Sequence, residues 1–470
     1  MRNRTIAAIA TPPGNGGIGI IRISGPQSLR IAQSIFRSVA DFPGGEGPSD
    51  DVPAFRFKSH QLCYGHIIDP ATGTIVDEVL LVAMLAPRSY TAEDVVEIQA
   101  HAGAYVMKSI LDIVRGQGAR LAAPGEFTKR AFMNGRIDLA QAEAVVDVIN
   151  ARTAVSLAMA QEQMRGGMGG EIDGVRATLV DILSAIEAVI DFPDDVGDIL
   201  DGDGLLRKLR HGVLEKIEPL LARYENAHFL RDGLKIVIVG PPNAGKSSLM
   251  NRLVSRERSI VTSVPGTTRD LIEDALNLNG MPMVITDTAG LHNTADPVER
   301  IGIARAEAAI EAADMILYVV DAQPGLTDHD RKTLCRLVER EVLLVVNKID
   351  KVDDTFRLAI VPELEGVPVV RISALKNSGL DALTCAVAQI AMGKLSGDNS
   401  SIVPNLRHKG LFEKVIASVK AFSDGVAADT PFELLAMDLA DAIAAVGEIT
   451  GESAKPDILD NIFSNFCIGK

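Results

Sequence analysis

The chain has 470 residues, of which 47% are hydrophobic and 23% charged, the proportions of a folded globular protein. One hydrophobic core cannot serve this length, so we expect about two to four domains. A net charge of −15, from 47 Lys and Arg against 62 Asp and Glu, argues against broad electrostatic capture of nucleic acid.

The cysteine spacing and the lengths of the apolar runs indicate the cellular compartment. The four cysteines form no paired metal-ligand spacing, which favours a reduced compartment over structural zinc or disulfides. No apolar run approaches the roughly 18 residues that a membrane span requires. We therefore expect a cytoplasmic protein without membrane association.

Residues 1–130 alternate short apolar runs with turns and end in a helical pattern over 105–115, which predicts an α+β domain. The letters of Gly14 to Gly19, GNGGIG, fit the dinucleotide-binding pattern G-x-G-x-x-G. The segment that includes its last residues, IGIIRIS, predicts a strand rather than a helix, so no helix N-terminus would face a pyrophosphate. We predict a glycine-rich loop between two strands.

Two stretches of this region, 90–103 and 124–144, are rich in polar side chains. In the second, Glu126, Lys129, Arg130 and Asn134 precede a helical pattern. Mixed charges at such a place serve as helix caps and surface ion pairs as readily as they serve a binding site. The residues alone leave both alternatives open.

Helical periodicity dominates residues 131–230 and returns in residues 393–470. Neither flank is large enough for a comfortable bundle alone. The economical arrangement is one helical domain built from both flanks, with residues 231–392 inserted at a surface loop. The predicted segments are thus 1–130, 131–230, 231–392 and 393–470.

The inserted segment opens with an apolar strand followed by GPPNAGKS, residues 240–247, and an amphipathic helical pattern. This context predicts a P-loop of the form G-x-x-x-x-G-K-[ST]. Its glycines let backbone N–H groups approach a β-phosphate, and the helix N-terminus presents its positive dipole end. Lys246 supplies a mobile positive charge, and Ser247 is placed to offer its hydroxyl to Mg²⁺.

Four short motifs follow in order, each after a predicted strand: GTT at 266–268, DTAG at 287–290, NKID at 347–350 and SAL at 373–375. Each is weak alone, but their order at the carboxyl ends of strands resembles the Ras-like, translation-factor-type GTPase domain. Asp350 can accept hydrogen bonds from guanine N1–H and N2–H, which adenine does not offer, and Asn347 and Lys348 would pack around the base.

The resemblance to this GTPase domain predicts which residues surround GTP and its metal ion. Mg²⁺ would be held directly by Ser247 and Thr268, and through water by Asp287. The predicted GTP-binding residues are Asn243, Ala244, Gly245, Lys246, Ser247, Ser248, Thr262, Ser263, Val264, Pro265, Gly266, Thr267, Thr268, Asp287, Thr288, Ala289, Gly290, Asn347, Lys348, Asp350, Ser373, Ala374 and Leu375.

Hydrolysis poses a separate problem, because Leu291 occupies the position where Ras-like proteins keep a glutamine that orients water. An apolar side chain cannot do so, and no arginine finger is evident. Either hydrolysis is slow or another residue takes over. Asn243, inside the P-loop, has an amide oxygen that could help to hold a monovalent cation near the phosphates.

The whole chain resembles the MnmE (TrmE) family of tRNA-modifying GTPases. The matching stretches span the chain in order: IAAIATPPGNGGIGIIRISG, YTAEDVVEIQAHAG, PGEFTKRAFMNGRIDLAQAEAV, AVIDFPDD, GPPNAGKSSLMN, VTSVPGTTRD, DTAGLHNTADPVERIGI, GEITGES and IFSNFCIGK. The resemblance implies an N-terminal α+β domain, similar to folate-dependent one-carbon transfer proteins, that forms a homodimer, then a split helical domain with an inserted P-loop GTPase domain.

The resemblance also implies roles for particular residues. K⁺ would be held by Asn243, Thr267 and the backbone of Thr262 and Val264, and Glu299 would be the catalytic residue that organises water. The one-carbon donor, 5-formyl-tetrahydrofolate or methylene-tetrahydrofolate, would contact Arg22, Glu97, Arg136 and Lys470. Cys467 would face the modification site as a second catalytic residue.

The family pairs with an FAD-containing partner, MnmG, in a heterotetramer. Together they install an aminomethyl or carboxymethylaminomethyl group at C5 of the wobble uridine of certain tRNAs. Hydrolysis of GTP to GDP and phosphate would drive a conformational switch of the GTPase domains. The partner can carry most of the tRNA contact, which reconciles RNA chemistry with an acidic chain.

Two other functions compete with this interpretation. A ribosome-assembly GTPase is disfavoured because such proteins usually append a basic RNA-binding module, and no basic GXXG-bearing pattern is present. A scaffold that binds folate and GTP and activates an enzyme partner without chemistry of its own stays open.

Overall fold

The computed structural model describes residues 4–12, 14, 16–39, 56–151, 153–192, 202–257, 274–278, 281–287, 307–353, 358, 362–393 and 402–470. The strands are β1 (Ile6–Ile9), β2 (Ile18–Ser24), β3 (Phe36–Ser38), β4 (Leu62–Ile68), β5 (Ile75–Met84), β6 (Val95–His101), β7 (Arg120–Leu121), β8 (Leu234–Val239), β9 (Asp274–Leu278), β10 (Met281–Asp287), β11 (Met315–Asp321), β12 (Val342–Asn347) and β13 (Val369–Arg371).

The α-helices are α1 (Ser28–Ile35), α2 (Ala104–Gly116), α3 (Glu126–Met133), α4 (Leu139–Asn150), α5 (Ala154–Met164), α6 (Gly167–Asp191), α7 (Gly202–Leu209), α8 (Glu215–Asp232), α9 (Lys246–Glu257), α10 (Asp328–Leu337), α11 (Leu380–Gly393), α12 (Leu406–Ala427), α13 (Phe432–Thr450) and α14 (Pro456–Ser464). A π-helical turn, Arg210–Leu214, joins α7 to α8. No helix in the described part of the chain combines the length and apolarity that a membrane crossing requires.

The described residues fall into two compact units. The first draws on 1–146, 164–198 and 428–470, and the second on 147–163 and 199–427. In the first unit the described strands form a seven-stranded sheet in the order β3-β4-β5-β6-β2-β1-β7. The pairs are antiparallel except β1 with β7. The glycine-rich loop lies between β1 and β2, as predicted, and α2 matches the predicted helix.

Alternation along the strands gives this sheet a buried face and an opposite face. Ile21 and Ile98 are fully buried in a core that also contains Ile110 of α2. Because successive strand residues point to opposite faces, Arg22 lies on the other face. The register of β2 with β6 sets Arg22 directly across from Glu97, so strand pairing alone brings these two side chains together.

Helices from both flanks of the central segment pack in pairs. In the first unit α6 lies along α13, and in the second α8 lies along α12. The buried residues of α6 recur at helical spacing, as in Val175, Leu179, Ile182 and Ile186, so one apolar stripe faces its neighbour. This pairing agrees with helices contributed from both flanks, while the predicted domain boundaries stay a prediction.

The second unit contains an open sheet in the order β13-β12-β11-β8-β10-β9 among its described strands. All pairs are parallel except β9 with β10. Strands β11 and β12 are buried almost throughout, as expected of parallel strands covered on both faces. Their carboxyl ends and that of β8 meet at one edge of the sheet, where open α/β sheets bind ligands.

An ion pair ties α8 to the opposite edge of this sheet. His228 Nε2 lies 3.0 Å from Asp314 Oδ1, and His228 Nδ1 lies 3.0 Å from the carbonyl oxygen of Tyr224. The bond to Asp314 raises the pKa of His228 above its usual 6.5, against an opposing effect of burial. Burial alone would raise the pKa of Asp314, but bonds from His228 and the Lys235 N–H outweigh it and lower that pKa.

Replacing His228 by glutamine is expected to lower the free energy of unfolding by about 1–2 kcal/mol below pH ~6. A raised folded-state pKa gives stability that is complete below the unfolded-state pKa and is lost as pH rises through the folded value. The difference from the native chain should therefore shrink toward alkaline pH in urea denaturation followed by circular dichroism. The exposed His329→Gln is the control, and a difference that does not change with pH would contradict the prediction.

Candidate functional site

The loop between β8 and α9 has the backbone that a P-loop requires. Gly240 has φ +143°, and a Cβ there would collide with the carbonyl oxygen of Val319. Gly245 has φ +93°, and a Cβ there would collide with the side-chain amide of Asn347. Both positions therefore need glycine, for backbone conformation and for space. The loop passes directly into α9, whose N-terminus suits an anionic phosphate.

Lys246, the first residue of α9, lies within this loop. It is only 8% exposed, and its Nζ donates to the carbonyl oxygens of Gly240 and Pro241, each at 2.8 Å. Ser247 and Ser248 follow on the exposed side of the first turn. The P-loop thus combines a half-enclosed ammonium group, a helix N-terminus and two hydroxyl side chains.

Asn347, at the end of β12, joins the loops of the site. Its Nδ2 donates to the carbonyl oxygen of Ala244 at 2.9 Å, and its Oδ1 accepts from the N–H groups of Lys348 and Ala374 at 2.8 and 3.1 Å. It is 2% exposed. In this structure its amide is occupied in joining the P-loop to the 373–375 loop, and the expected contact with the base stays a prediction.

Asp350 is held by the last of the four motifs. The Oγ of the buried Ser373 donates to Asp350 Oδ1 at 2.5 Å and accepts from the N–H of Lys376 at 3.1 Å. The bond from Ser373 lowers the pKa of Asp350, so the exposed carboxylate is ionised at neutral pH. One carboxylate oxygen is thereby engaged, and the exposed group can still accept hydrogen bonds from a ligand.

A cavity of about 390 Å³ is lined by residues of these loops, among them Gly245, Asn347 and Asp350. Arg252 of α9 supports one wall, because its Nε donates to the carbonyl oxygen of Ala374 at 3.1 Å. Leu375 is 69% exposed and forms an apolar part of the rim. The cavity is lined by Gly245, Ser248, Asn251, Arg252, Asn347, Lys348, Asp350, Lys351, Ala374 and Leu375.

One carboxylate at this edge of the sheet was missed from the sequence. Asp321, the last residue of β11, accepts from Lys348 Nζ at 2.7 Å, and the same Nζ donates to the carbonyl oxygen of Asn243 at 2.5 Å. Burial would raise the pKa of Asp321, but bonds from Lys348 and the Gln323 N–H lower it. Its signal in the sequence is an acidic residue that ends an apolar strand, ILYVVD, at the ligand-binding edge.

Part of the predicted site lies outside the described residues. Asp287 ends β10 and pairs in register with Ile238 of β8, which sets its backbone next to the strand that leads into the P-loop. The described residues contain no group of three or more His, Cys, Asp or Glu side chains that could hold a metal ion. The residues singled out from the sequence that lie outside the described part of the chain are Thr262, Ser263, Val264, Pro265, Gly266, Thr267, Thr268, Thr288, Ala289, Gly290, Leu291 and Glu299.

A second polar cluster lies in the first unit, around Tyr90. Arg22 Nε lies 2.8 Å from Glu97 Oε1, and an Arg22 NH group donates to the carbonyl oxygen of Gly469 at 3.1 Å. The guanidinium carbons of Arg22 and Arg136 each lie 5.2 Å from the centroid of the Tyr90 ring. Two cations on one aromatic ring form a surface suited to an anionic, partly aromatic ligand.

The C-terminal segment contributes to this cluster. Gly469 has φ +96° and packs so closely that a Cβ would lie 2.6 Å from the Ile9 carbonyl oxygen. Burial, followed by repulsion from Arg22, lowers the pKa of Lys470, while Glu97 and Cys467 act in the opposite direction. Arg22, Glu97, Arg136 and Lys470 are therefore brought to one place, and the side chain of Cys467 is exposed beside them.

The charges of the 124–144 stretch have mainly structural partners. Arg130 donates to Glu93 at 2.9 Å, to Glu126 at 3.1 Å and to the carbonyl oxygen of Arg4 at 2.8 Å. Asn134 donates to the carbonyl oxygen of Thr91 at 2.7 Å. Of the alternatives that the sequence left open, structural ion pairs and hydrogen bonds account for these residues, whereas Arg136 belongs to the Tyr90 cluster.

Comparison with known proteins identifies the family. The model of the MnmE helical domain matches residues 139–467, and that of the GTP-binding protein TrmE N-terminus matches residues 5–136. A protein of Moorella thermoacetica named tRNA modification GTPase MnmE is 46% identical, with 100% of both chains covered. The chain belongs to the MnmE family of tRNA modification GTPases. Geobacter metallireducens has an MnmE that is 45% identical, with 99% of both chains covered.

A solved structure, the FeoB G-domain from Methanococcus jannaschii, is 29% identical and covers 34% of this chain and 96% of that chain, with a TM-score of 0.26. Membership of the MnmE family confirms the resemblance drawn from the sequence. It also confirms the fold class, a P-loop GTPase domain together with a helical domain and an N-terminal α+β domain.

Proposed function

We propose that this chain hydrolyses GTP to GDP and phosphate and that this hydrolysis drives a conformational switch in tRNA wobble-uridine modification. The observation that carries the proposal is the cavity that Gly245 of the P-loop and Ser248 of α9 line together with Lys348 and Asp350. A triphosphate suits the P-loop side by charge, and guanine suits the Asp350 side by hydrogen bonding. Membership of the MnmE family supports the same activity.

The residues of the P-loop stabilise the charge that develops on the phosphates. Lys246 and the N–H groups at the start of α9 supply fixed positive potential in a half-enclosed site, where it is worth more than in water. Mg²⁺, when bound, would neutralise phosphate charge. Ser247, with its exposed hydroxyl, and Thr268 would be its direct ligands, and Asp287 would act through water.

A potassium ion would supply the positive charge that an arginine finger brings elsewhere. Asn243 fits this role, because its backbone has φ +62° and its carbonyl oxygen is held by Lys348, while its side chain is exposed. Thr267 and the backbone of Thr262 and Val264 would complete the site. Glu299 would organise the attacking water, since Leu291 cannot.

GTP hydrolysis is expected to run about tenfold or more faster in KCl than in NaCl of equal ionic strength, because one added positive charge stabilises the transition state. Asn243→Ala should abolish that stimulation. Asn251→Ala, which alters the same cavity at a position that the potassium proposal does not use, should keep it. The measurement is steady-state phosphate release by the purified protein. Equal rates in the two salts would contradict the potassium mechanism and leave the GTPase fold standing.

The cluster of charged side chains around Tyr90 supports a folate site in the first unit. Arg22, Arg136 and Lys470 offer cations to the carboxylates of a tetrahydrofolate, and Glu97 offers an acceptor to its ring nitrogens. 5-Formyl-tetrahydrofolate or methylene-tetrahydrofolate would bring the one-carbon unit, with Cys467 facing the modification site. A cytoplasmic homodimer through the N-terminal domain, in a heterotetramer with FAD-containing MnmG, would then act on C5 of the wobble uridine.

A further inference from the structure

Asp321 is linked to the nucleotide cavity through Lys348. It is absent from the residues that line the cavity, yet its carboxylate binds Lys348, which does line it. We propose that Asp321 is a positioning residue that, through Lys348, holds the P-loop against the base pocket and sets how long a nucleotide stays bound. This inference rests on the proposed binding of GTP and GDP.

The geometry fixes the carboxylate on both sides. Asp321 Oδ1 accepts from the backbone N–H of Gln323 at 3.0 Å, which leaves Oδ2 directed at Lys348 Nζ, 2.7 Å away. The register of β11 with β12 pairs Asp321 with Asn347, so Lys348 is the next residue along the neighbouring strand end. Lys348 has φ +63°, and its Nζ reaches the carbonyl oxygen of Asn243 in the P-loop.

Charge explains why the carboxylate matters for the loop. The Lys348 side chain is 25% exposed and the Asp321 side chain 19%, so neither charge is fully solvated and each needs a partner. Without Asp321, the ammonium group is drawn toward solvent or toward other acceptors. The contact with Asn243 then loosens, and with it the wall that Lys348 gives the cavity.

Strand β11 has a carboxylate at each end, and comparing the two separates a role at the cavity from a purely structural role. Asp314 immediately precedes β11 at the opposite edge of the sheet, where it binds His228 and the N–H of Lys235. Both carboxylates are mostly buried and paired with a basic side chain. Only Asp321 is connected to the nucleotide cavity, so Asp314 is a matched control for loss of stability.

The test is the dissociation rate of fluorescent GDP, measured by stopped flow on the full chain. Asp321→Ala is expected to raise this rate about tenfold, the effect typical of coupled groups in one network. Asp321→Asn, which keeps an acceptor for Lys348 but not the charge, should lie between. The KM for GTP should rise more than kcat falls, because Asp321 touches no reacting atom.

A double-mutant cycle with Lys348→Ala decides whether the effect passes through that lysine. In the Lys348→Ala background, Asp321→Ala should change the rate less than twofold, within the usual scatter of such cycles. Asp314→Ala should leave the rate unchanged while lowering thermal stability. Independent, multiplying effects of the two substitutions, or an equal rate increase in Asp314→Ala, would overturn the proposal. A native chain that binds no GDP would overturn the GTPase proposal itself.

Discussion

Replacing Lys246 by alanine is expected to lower kcat/KM for GTP by roughly 10²–10³-fold, the usual effect of removing one preorganised charge from a phosphate-transfer site. Lys246 is 8% exposed and lies in the turn of the P-loop, where its ammonium group meets the Gly240 and Pro241 carbonyl oxygens. With only a methyl group at this position, the negative charge that develops on the phosphates lacks its main protein cation.

The control for this prediction is Lys332→Ala, an exposed lysine of α10. It changes net charge by the same amount and should hydrolyse GTP at the native rate. Circular dichroism must show that Lys246→Ala is folded, because a buried lysine also has structural partners. Activity within threefold of native in folded Lys246→Ala would contradict the assignment of the P-loop as the phosphate site.

Replacing Asp350 by asparagine is expected to exchange the preferred base. Ser373 Oγ donates to one oxygen of the Asp350 carboxylate, so in the variant the amide oxygen should take that place and the NH₂ group should face the cavity. A donor there opposes the N1–H and N2–H of guanine but matches the 2-oxo group of xanthine. Affinity for GTP should fall by at least about 10²-fold, and XTP should become the better ligand.

Competition of GTP and XTP against a fluorescent nucleotide measures this exchange. Asp353→Asn, at an exposed position three residues along the chain, should keep the native preference. A variant that loses both nucleotides equally would mean that Asp350 supports the Ser373 loop rather than reading the base. Retained preference for GTP would place guanine elsewhere.

Much of the second unit could be predicted from local pattern. Apolar runs such as VLLVVN and ILYVVD became the buried parallel strands β12 and β11. The P-loop was predictable because its backbone requires a positive φ at Gly240 and Gly245, which glycine adopts most readily. Such features depend on a few neighbouring residues and therefore leave a signature in the sequence.

Other features could not be predicted from local sequence patterns, because they depend on which strands and loops lie next to each other in the fold. The sequence predicted that Asn347 packs around the base, and the structure shows a buried amide that bridges two loops. The pairing of Asp321 with Lys348 follows from the register of β11 and β12, which neither strand specifies alone. Single-residue patterns do not report such cross-strand partners.

The sequence by itself determined the order of motifs, the class of fold and the family, because each rests on short segments whose spacing is fixed by local backbone chemistry. Only the tertiary structure decided how distant polar residues are used. It directed Arg130 into ion pairs, and it gathered Arg22, Arg136 and Lys470 around Tyr90 and Glu97. The physical reason is that the role of a charged side chain depends on which partner the folded chain brings within hydrogen-bonding distance.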